Sequence, residues 1–201
     1  MTQSQSDRCG LPKVSIIIPN WNGWRYLKDC LFSLQAQKYP NYEVIVVDNG
    51  SKDNSVNYLK ENFPNVNIIK LNKNTGYSRA INSGIEHSEA KYILALNNDA
   101  TVEPNWLTEL IAIAESDERI GSCQPKILSQ SDHTKIDSVE LAFARNGDAC
   151  QAGYQTRDKG QYNKVKEVQG ASSAAVLYRR QAICQIGMFD PDFLHILKMS
   201  T

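Results

Sequence analysis

The stretch at residues 91–103, KYILALNNDATVE, constrains this chain more than any other. An apolar run from Tyr92 to Leu96 stops abruptly at Asn97, Asn98 and Asp99. A run of that length ending in a carboxylate reads as a buried strand that delivers one acid to the rim of a sheet. Open α/β sheets bind ligands beyond the carboxyl ends of their strands, which places Asp99 where a ligand would sit. The same letters also fit a solvated strand-to-helix turn, because Asn and Asp are ordinary turn residues.

The motif is one of a series. Residues 13–18, KVSIII, form a β-branched run ended by Pro19, with turn chemistry in Pro19-Asn20-Trp21-Asn22-Gly23. Asn22 is placed to cap the next helix, in which Leu27, Cys30, Leu31 and Leu34 recur at helical spacing. Residues 43–47, EVIVV, read as the second strand and deliver Asp48, then Asn49-Gly50-Ser51. Asp53 is expected to cap the helix carrying Val56, Leu59 and Phe63. A third strand at 66–70, a polar loop at 72–76 and a helix over 78–87 lead to the apolar run that ends at Asp99. Pro104 fits the first turn of a further helix with Trp106, Leu107, Leu110, Ile111 and Ala114 on its apolar face. Four alternations of strand and helix predict a parallel, doubly wound sheet.

After Arg119 the pattern loosens. Short strands are expected at 120–124, 136–143, 165–168 and 174–178, a polar mobile loop at 144–164, and a helix at 179–186 stopped by Gly187. A chain of 201 residues suits one domain with a real core. Its 22 basic residues balance 22 acidic ones, so no nucleic-acid surface or polybasic membrane contact is indicated. No apolar run reaches the length of a membrane span, and residues 1–12 read as a flexible polar tail without a signal-peptide core. Five scattered cysteines with no C-x-x-C pair suit reduced thiols in a cytoplasmic protein.

Two strands end in acids, Asp48 and Asp99, among amides and hydroxyls (Asn20, Asn22, Asn49, Ser51, Asn97, Asn98) and the cations Lys73 and Arg79. Such a rim can hydrogen-bond a base and a ribose and hold a divalent cation through one carboxylate and a ligand's phosphates. Glycine-rich dinucleotide and phosphate loops are absent, as is a G-x-S-x-G elbow, which disfavours hydride transfer, ATPase and esterase chemistry. A sugar nucleotidyltransferase would need a glycine-rich basic loop after the first strand, which PNWNGWR does not supply.

The segments VSIIIPNWNG, VIVVDNGSKDNS, NKNTGYSRAINSGI and YILALNNDATVEPNWL, in that order, resemble family 2 glycosyltransferases, most closely the rhamnosyltransferase-like branch. The resemblance runs over roughly residues 13–192 and implies a GT-A fold: a Rossmann-like, mostly parallel sheet flanked by helices. It implies a nucleotide-sugar donor, dTDP-rhamnose among the candidates, a Mn or Mg cation, and inverting transfer to a hydroxyl of a glycan or lipid-linked acceptor in polysaccharide synthesis. Pro19, Asn20 and Asn22 resemble the first donor-binding segment, and Asp48, followed by Asn49, the acid that meets the base; a helix-entry turn acid is the plain alternative for Asp48. Gly76, Arg79 and Asn82 resemble the helix start near the diphosphate, with a surface ion pair as the alternative for Arg79. Asn97-Asn98-Asp99 matches the D-x-D position with Asn for the first acid, leaving Asp99 as the charged metal ligand. Gly170, Ala171 and Ser172 resemble the segment lining the acceptor side. The inner face of a membrane is a candidate location, and peripheral membrane association and oligomeric state are left open.

The family's base comes from an acidic pair just after FD-x-x-F. Phe189-Asp190-Pro191-Asp192-Phe193 fits the lead-in, but Lys198 and Met199 stand at the expected acidic positions. A family-like continuation, FAYFEDVD, can be encoded by TTT GCA TAT TTT GAA GAT GTC GAC T, which read one base later translates as LHILKMST, the last eight residues. The expectation is therefore a domain over 13–193 that is incomplete at its C-terminus, with a frameshifted, aberrant tail at 194–201, no catalytic residue of its own and impaired activity. Resequencing across the Phe193 codon tests that reading. A non-catalytic nucleotide-sugar binding remnant is the alternative.

Overall fold

The computed structural model describes residues 10–143 and 148–192. The tail at 194–201, with Lys198 and Met199, lies outside the described residues, as does most of the N-terminal tail. The carbonyls of Leu11 and Pro12 accept hydrogen bonds from Asn41 Nδ2 and Tyr39 Oη at 2.7 and 2.5 Å.

The first half alternates strand and helix: β1 (Val14–Asn20), α1 (Trp24–Gln35), β2 (Tyr42–Asp48), α2 (Ser55–Asn62), β3 (Asn67–Lys70), α3 (Tyr77–Glu86), β4 (Tyr92–Leu96) and α4 (Trp106–Ser116). The second half holds β5 (Ser122–Cys123), β6 (Ile127–Leu128), β7 (Ile136–Ser138), β8 (Leu141–Phe143), β9 (Ala149–Gln151), β10 (Ala175–Arg179) and α5 (Arg180–Ile186). Six strands form the central sheet in the order β3-β2-β1-β4-β10-β5. The β3-β2-β1-β4 part is parallel, and β10 and β5 add antiparallel pairs.

Both faces of the sheet are covered, so its central strands β1, β2 and β4 are largely apolar, and the period of two sorts their side chains into two cores. Ile16 and Ile18 of β1, Val44 and Val46 of β2, and Leu94 and Leu96 of β4 pack with Leu27, Leu31 and Leu34 of α1, Leu59 of α2 and Leu107 of α4. Ile17, Ile45, Val47, Ile93 and Ala95 point the other way, onto Ala80, Ile81 and Ile85 of α3 and Ile183 of α5. Each large aliphatic side chain buried this way contributes about 1.5–3 kcal/mol.

Several expectations need correction. β1 does not stop at Pro19. Its pairing with β4 ends at Ile17↔Ala95, while pairing with β2 continues to Asn20↔Asp48. The Asn20 carbonyl accepts from Asn49 N on the β2 side at 2.7 Å, so the alternate residue Pro19 faces β4 beyond the last pair, where a missing N–H interrupts nothing. Asn22 does not cap α1; Gly23 holds the N-cap position, and Asn22 Oδ1 accepts from Lys52 N at 2.8 Å. Asp53 serves two helix starts: Oδ1 accepts from Ser55 N of α2 at 3.0 Å and Oδ2 from Trp24 N of α1 at 3.3 Å. Pro104 precedes the N-cap Asn105 of α4 rather than lying inside its first turn.

The span 136–143 is two short strands with different partners, and β9 pairs with β8 inside the expected loop. Residues 165–168 form no strand; Val165 is 74% exposed, with no sheet edge to take it. Among the described residues no helix is long and apolar enough to cross a membrane.

Candidate functional site

The strand order puts the carboxyl ends of β2, β1 and β4 side by side. Between β1 and β4 the direction of winding reverses, the place where open α/β sheets form a crevice. Backbone pairing across that gap stops at Ile17↔Ala95, and side chains take over beyond it. Asn98 Nδ2 donates to Asn20 Oδ1 at 2.9 Å. Asn20 Nδ2 is within 3.4 Å of both Asp48 Oδ1 and Ser51 Oγ. Ser51 N donates to Asp48 Oδ2 at 3.3 Å, and Asn22 N to Ser51 Oγ at 2.9 Å. A polar relay therefore runs from β2 through β1 to the Asn97–Asn98–Asp99 turn, with Asn20 and Asp48 buried.

Gly23 makes the relay possible. A Cβ there would stand 2.2 Å from Asn98 Nδ2 and 2.7 Å from Asn20 Oδ1. Sequence reading treated this glycine only as a turn residue, and the amide pair it shelters has no periodic signal.

Asp99 is exposed at the end of the relay. Among the described residues its carboxylate has no hydrogen bond or ion pair, although its backbone carbonyl accepts from Gln130 Nε2 at 3.2 Å. Its charge reaches two groups. Below the turn, the Cys30 thiol lies 3.7 Å from the Asn97 carbonyl and is pushed up to about 12, by burial first and by Asp99 second. Asp137 of β7, between the buried Ile136 and Ser138, is also raised, by burial and then by Asp99. Asp137 was not anticipated; the letters I-D-S, a polar residue between two core positions, carried the only hint of it.

A second cluster surrounds Asn49, which is buried. Its Nδ2 donates to Asn74 Oδ1 and to the Gly76 carbonyl, both at 3.1 Å, and its Oδ1 accepts from Thr75 N at 2.8 Å. The Asn49 amide is thereby committed to shaping the loop that opens α3. The next residue, Gly50, has φ +75°, and a Cβ on it would stand 2.6 Å from the Lys73 backbone. Gly76 holds the N-cap position of α3, and Arg79, in the first turn, is exposed with no ion pair among the described residues.

Gly170 and Ser172 are tied to other segments of the second half of the chain. The Gly170 carbonyl accepts from Leu141 N at 2.9 Å, and Ser172 N donates to Gln124 Oε1. The neighbouring Ser173 carbonyl accepts from Tyr77 Oη at 2.8 Å, linking this segment to the start of α3. Burial raises the Tyr77 phenol well above its ordinary range, which keeps it a proton donor. Trp21, next to Asn20 in the turn, is 55% exposed.

The arrangement offers hydrogen-bonding groups at the β1–β2 end, a helix start with a cation, and an exposed carboxylate across the crevice. Among the described residues no group of three or more His, Cys, Asp or Glu side chains gathers to hold a metal. A cation here would have Asp99 as its protein anchor, and the unengaged carboxylate fits that demand.

Known proteins share this fold. The fold matches a mannosyltransferase from Pyrobaculum calidifontis, solved with GDP-Man and Mn2+, at TM-score 0.66 and 17% identity over 92% of this chain and 49% of that one. It matches residues 1–349 of TarS from S. aureus at TM-score 0.65 and 18% identity, over 91% of this chain and 52% of that one. Curated relatives include the uncharacterized glycosyltransferase YibD of Escherichia coli K12, 36% identical over 115 residues, which are 55% of this chain and 33% of the relative. The poly-beta-1,6-N-acetyl-D-glucosamine synthase of Staphylococcus aureus COL is 24% identical over 190 residues, 92% of this chain and 43% of the synthase. The chain thus spans less than half the length of either relative. Residues 15–187 match the model for glycosyl transferase family 2, and the chain belongs to that family.

Proposed function

We propose that this chain binds a nucleotide-sugar donor along the Asp48–Asn20–Asn98 relay, with a Mn or Mg ion at Asp99, and supports inverting transfer of the sugar to an acceptor hydroxyl in glycan synthesis. The observation that carries the reading is the relay itself: it joins a buried carboxylate at the β2 end to a turn whose exposed carboxylate is unengaged. The neighbour solved with GDP-Man and Mn2+, and the UDP-GlcNAc complex of TarS, support a nucleotide sugar as the class of donor.

In this reading Asp48 and Ser51 meet the base, and the Asn98 amide, oriented by Asn20, meets the ribose. Arg79 and the α3 start face the diphosphate, where a helix N-terminus favours negative charge. Gly170, Ala171 and Ser172 line the acceptor side. Transfer forms a bond from the acceptor oxygen to the sugar's anomeric carbon and breaks the bond from that carbon to the diphosphate oxygen, which keeps the electron pair. The hydroxyl proton must pass to a carboxylate base, and Lys198 and Met199, at the positions where the resemblance expects that acidic pair, do not supply one, so in this reading transfer by the chain is impaired. A bound cation would offset the charge that develops on the diphosphate. A dTDP-rhamnose donor and a glycan or lipid-linked acceptor remain the finer assignments, from the motif resemblance.

Titration calorimetry with UDP, dTDP and GDP, with and without manganese, tests the donor site. Manganese-dependent binding of one of them, lost in Asp99→Asn, is the expected result. No binding of any of the three would overturn the reading, and binding without turnover on labelled donors would mark a binding remnant rather than a catalyst.

A further inference from the structure

Asn82, in the middle of α3, makes two hydrogen bonds to one backbone residue far along the chain. Its Nδ2 donates to the Phe189 carbonyl at 2.7 Å, and its Oδ1 accepts from Phe189 N at 3.0 Å. A carboxamide used this way replaces a β-bridge: it satisfies both polar groups of one residue and fixes the chain's direction there. The Phe189 ring is fixed as well, edge-on to Tyr178 of β10 at 5.5 Å between centroids.

The path of the chain explains why a clamp is needed. β10 runs antiparallel to β4, with Ala175 opposite Leu96 at the rim and Arg179 opposite Tyr92 at the far edge. α5 therefore begins at the edge away from the crevice, with Arg180 N bonded to the Lys91 carbonyl at 2.9 Å. It ends at Gly187, φ +96°, and the chain then meets α3 at Asn82. Asn82 lies five residues into α3 from Tyr77, about 8 Å along the axis, and three residues beyond Arg79 on the same face. The helix whose start faces the crevice thus grips both C-terminal segments: Ser173 through Tyr77, and Phe189 through Asn82. Beyond Phe189 the exposed Asp190 accepts from Asp192 N at 2.9 Å.

We propose that Asn82 is a positioning residue: its carboxamide fixes Phe189 to α3 and so couples nucleotide occupancy at the start of that helix to the placement of Phe189–Asp192. The inference rests on the donor-site reading above. Occupancy at the α3 start restrains α3, and the two Asn82 bonds carry that restraint to Phe189 and the exposed Asp190 that follows it.

Residue-resolved amide exchange on the full chain tests this, with Asn82→Ala and Asn82→Asp beside the parent. The nucleotide probe is whichever of UDP, dTDP and GDP the parent binds with manganese. In Asn82→Ala the Phe189 amide should exchange about tenfold faster, the loss of one hydrogen bond. Asn82→Asp keeps an acceptor for that amide but sets a second acceptor against the Phe189 carbonyl, so its protection should fall between those of the parent and Asn82→Ala, a ranking that general destabilisation does not produce. Nucleotide with manganese, at concentrations that saturate each variant, should slow exchange at Phe189 in the parent and Asn82→Asp and leave Asn82→Ala unchanged. Equal Phe189 exchange in parent and Asn82→Ala would overturn the inference, as would nucleotide-linked protection of Phe189 that persists in Asn82→Ala. If Asn82→Ala does not fold, Asn82→Asp decides: nucleotide-linked protection at Phe189 supports the inference and its absence sinks it. A parent chain that binds no nucleotide removes the donor-site reading and this inference together, whereas binding without any Asn82 dependence removes this inference alone.

Discussion

Asn98 Nδ2 donates to Asn20 Oδ1 at 2.9 Å, and this bond spans β1 and β4 beyond the point where their backbones stop pairing. Asn20 is fully committed: its other amide end faces Asp48 and Ser51. Replacing Asn20 with Ala would strip Asp48 and Asn98 of a shared partner in a buried setting, at about 1–3 kcal/mol of stability. Asn98→Ala removes one bond at a half-buried position, about 0.5–1.5 kcal/mol. Thermal unfolding should rank Asn20→Ala well below Asn98→Ala, and calorimetry should show weaker nucleotide binding in both. Equal melting temperatures for the two variants would show that the relay is not the linkage described.

Gly23→Ala tests the same relay from outside it. The added methyl would stand 2.2 Å from Asn98 Nδ2, and the Asn20 oxygen at 2.7 Å blocks a small sideways shift. Asn98 must therefore leave Asn20, and overpacking of this kind costs about 1–3 kcal/mol. The expected result is a nucleotide affinity at least as low as that of Asn98→Ala, with no further loss in the double variant. Additive losses would mean that Gly23 acts through α1 rather than through Asn98.

The first half of the fold was legible because its strands are continuous β-branched runs and its helices repeat at helical spacing. The second half was not. β5 to β9 are strands of two or three residues, too short for a period to register. An apolar run such as Ala175–Arg179 reads the same whether it pairs parallel or antiparallel, so the direction of β10 waited on the structure. At the site, Asn20, Asp48, Asn98 and Asp99 announced themselves as polar letters ending apolar runs. Which of them bond to one another depends on β1 lying between β2 and β4, and periodicity carries no strand order. Asn22 shows the same limit locally: its letters fit a helix cap, but its φ of +52° turns the side chain to Lys52 instead.

Asp99→Asn separates the cation from the rest of the donor site. The carboxylate makes no hydrogen bond or ion pair among the described residues, so replacing it with a near-isosteric amide should leave the unfolding free energy within about 0.5 kcal/mol of the parent. Manganese-dependent tightening of nucleoside diphosphate binding should disappear, while any binding measured without metal persists. Retained manganese enhancement in Asp99→Asn would shift the anchor elsewhere, with Asp137, the other carboxyl coupled to Asp99, as the next variant to make.

Cys30 gives a prediction in pH. Burial, reinforced by Asp99, raises its thiol from 9.0 to about 12. A folded-state value above the unfolded one means that its contribution to stability is complete below pH 9 and is lost as pH rises towards 12. Unfolding in denaturant between pH 8 and pH 11 should show stability falling with pH, by about 1.4 kcal/mol per unit at most from this one group. Cys30→Ala should flatten that slope while lowering stability at pH 8, because the thiol fills core space beside Leu27, Leu31 and Leu34. In the folded protein at pH 8.5, iodoacetamide should label the exposed Cys150 and Cys184 and spare Cys30 until denaturant is added, as read by mass spectrometry. Prompt labelling of Cys30 would mean that the Asn97–Asp99 turn above it opens readily, and a turn that opens so easily could not hold a cation in a fixed place.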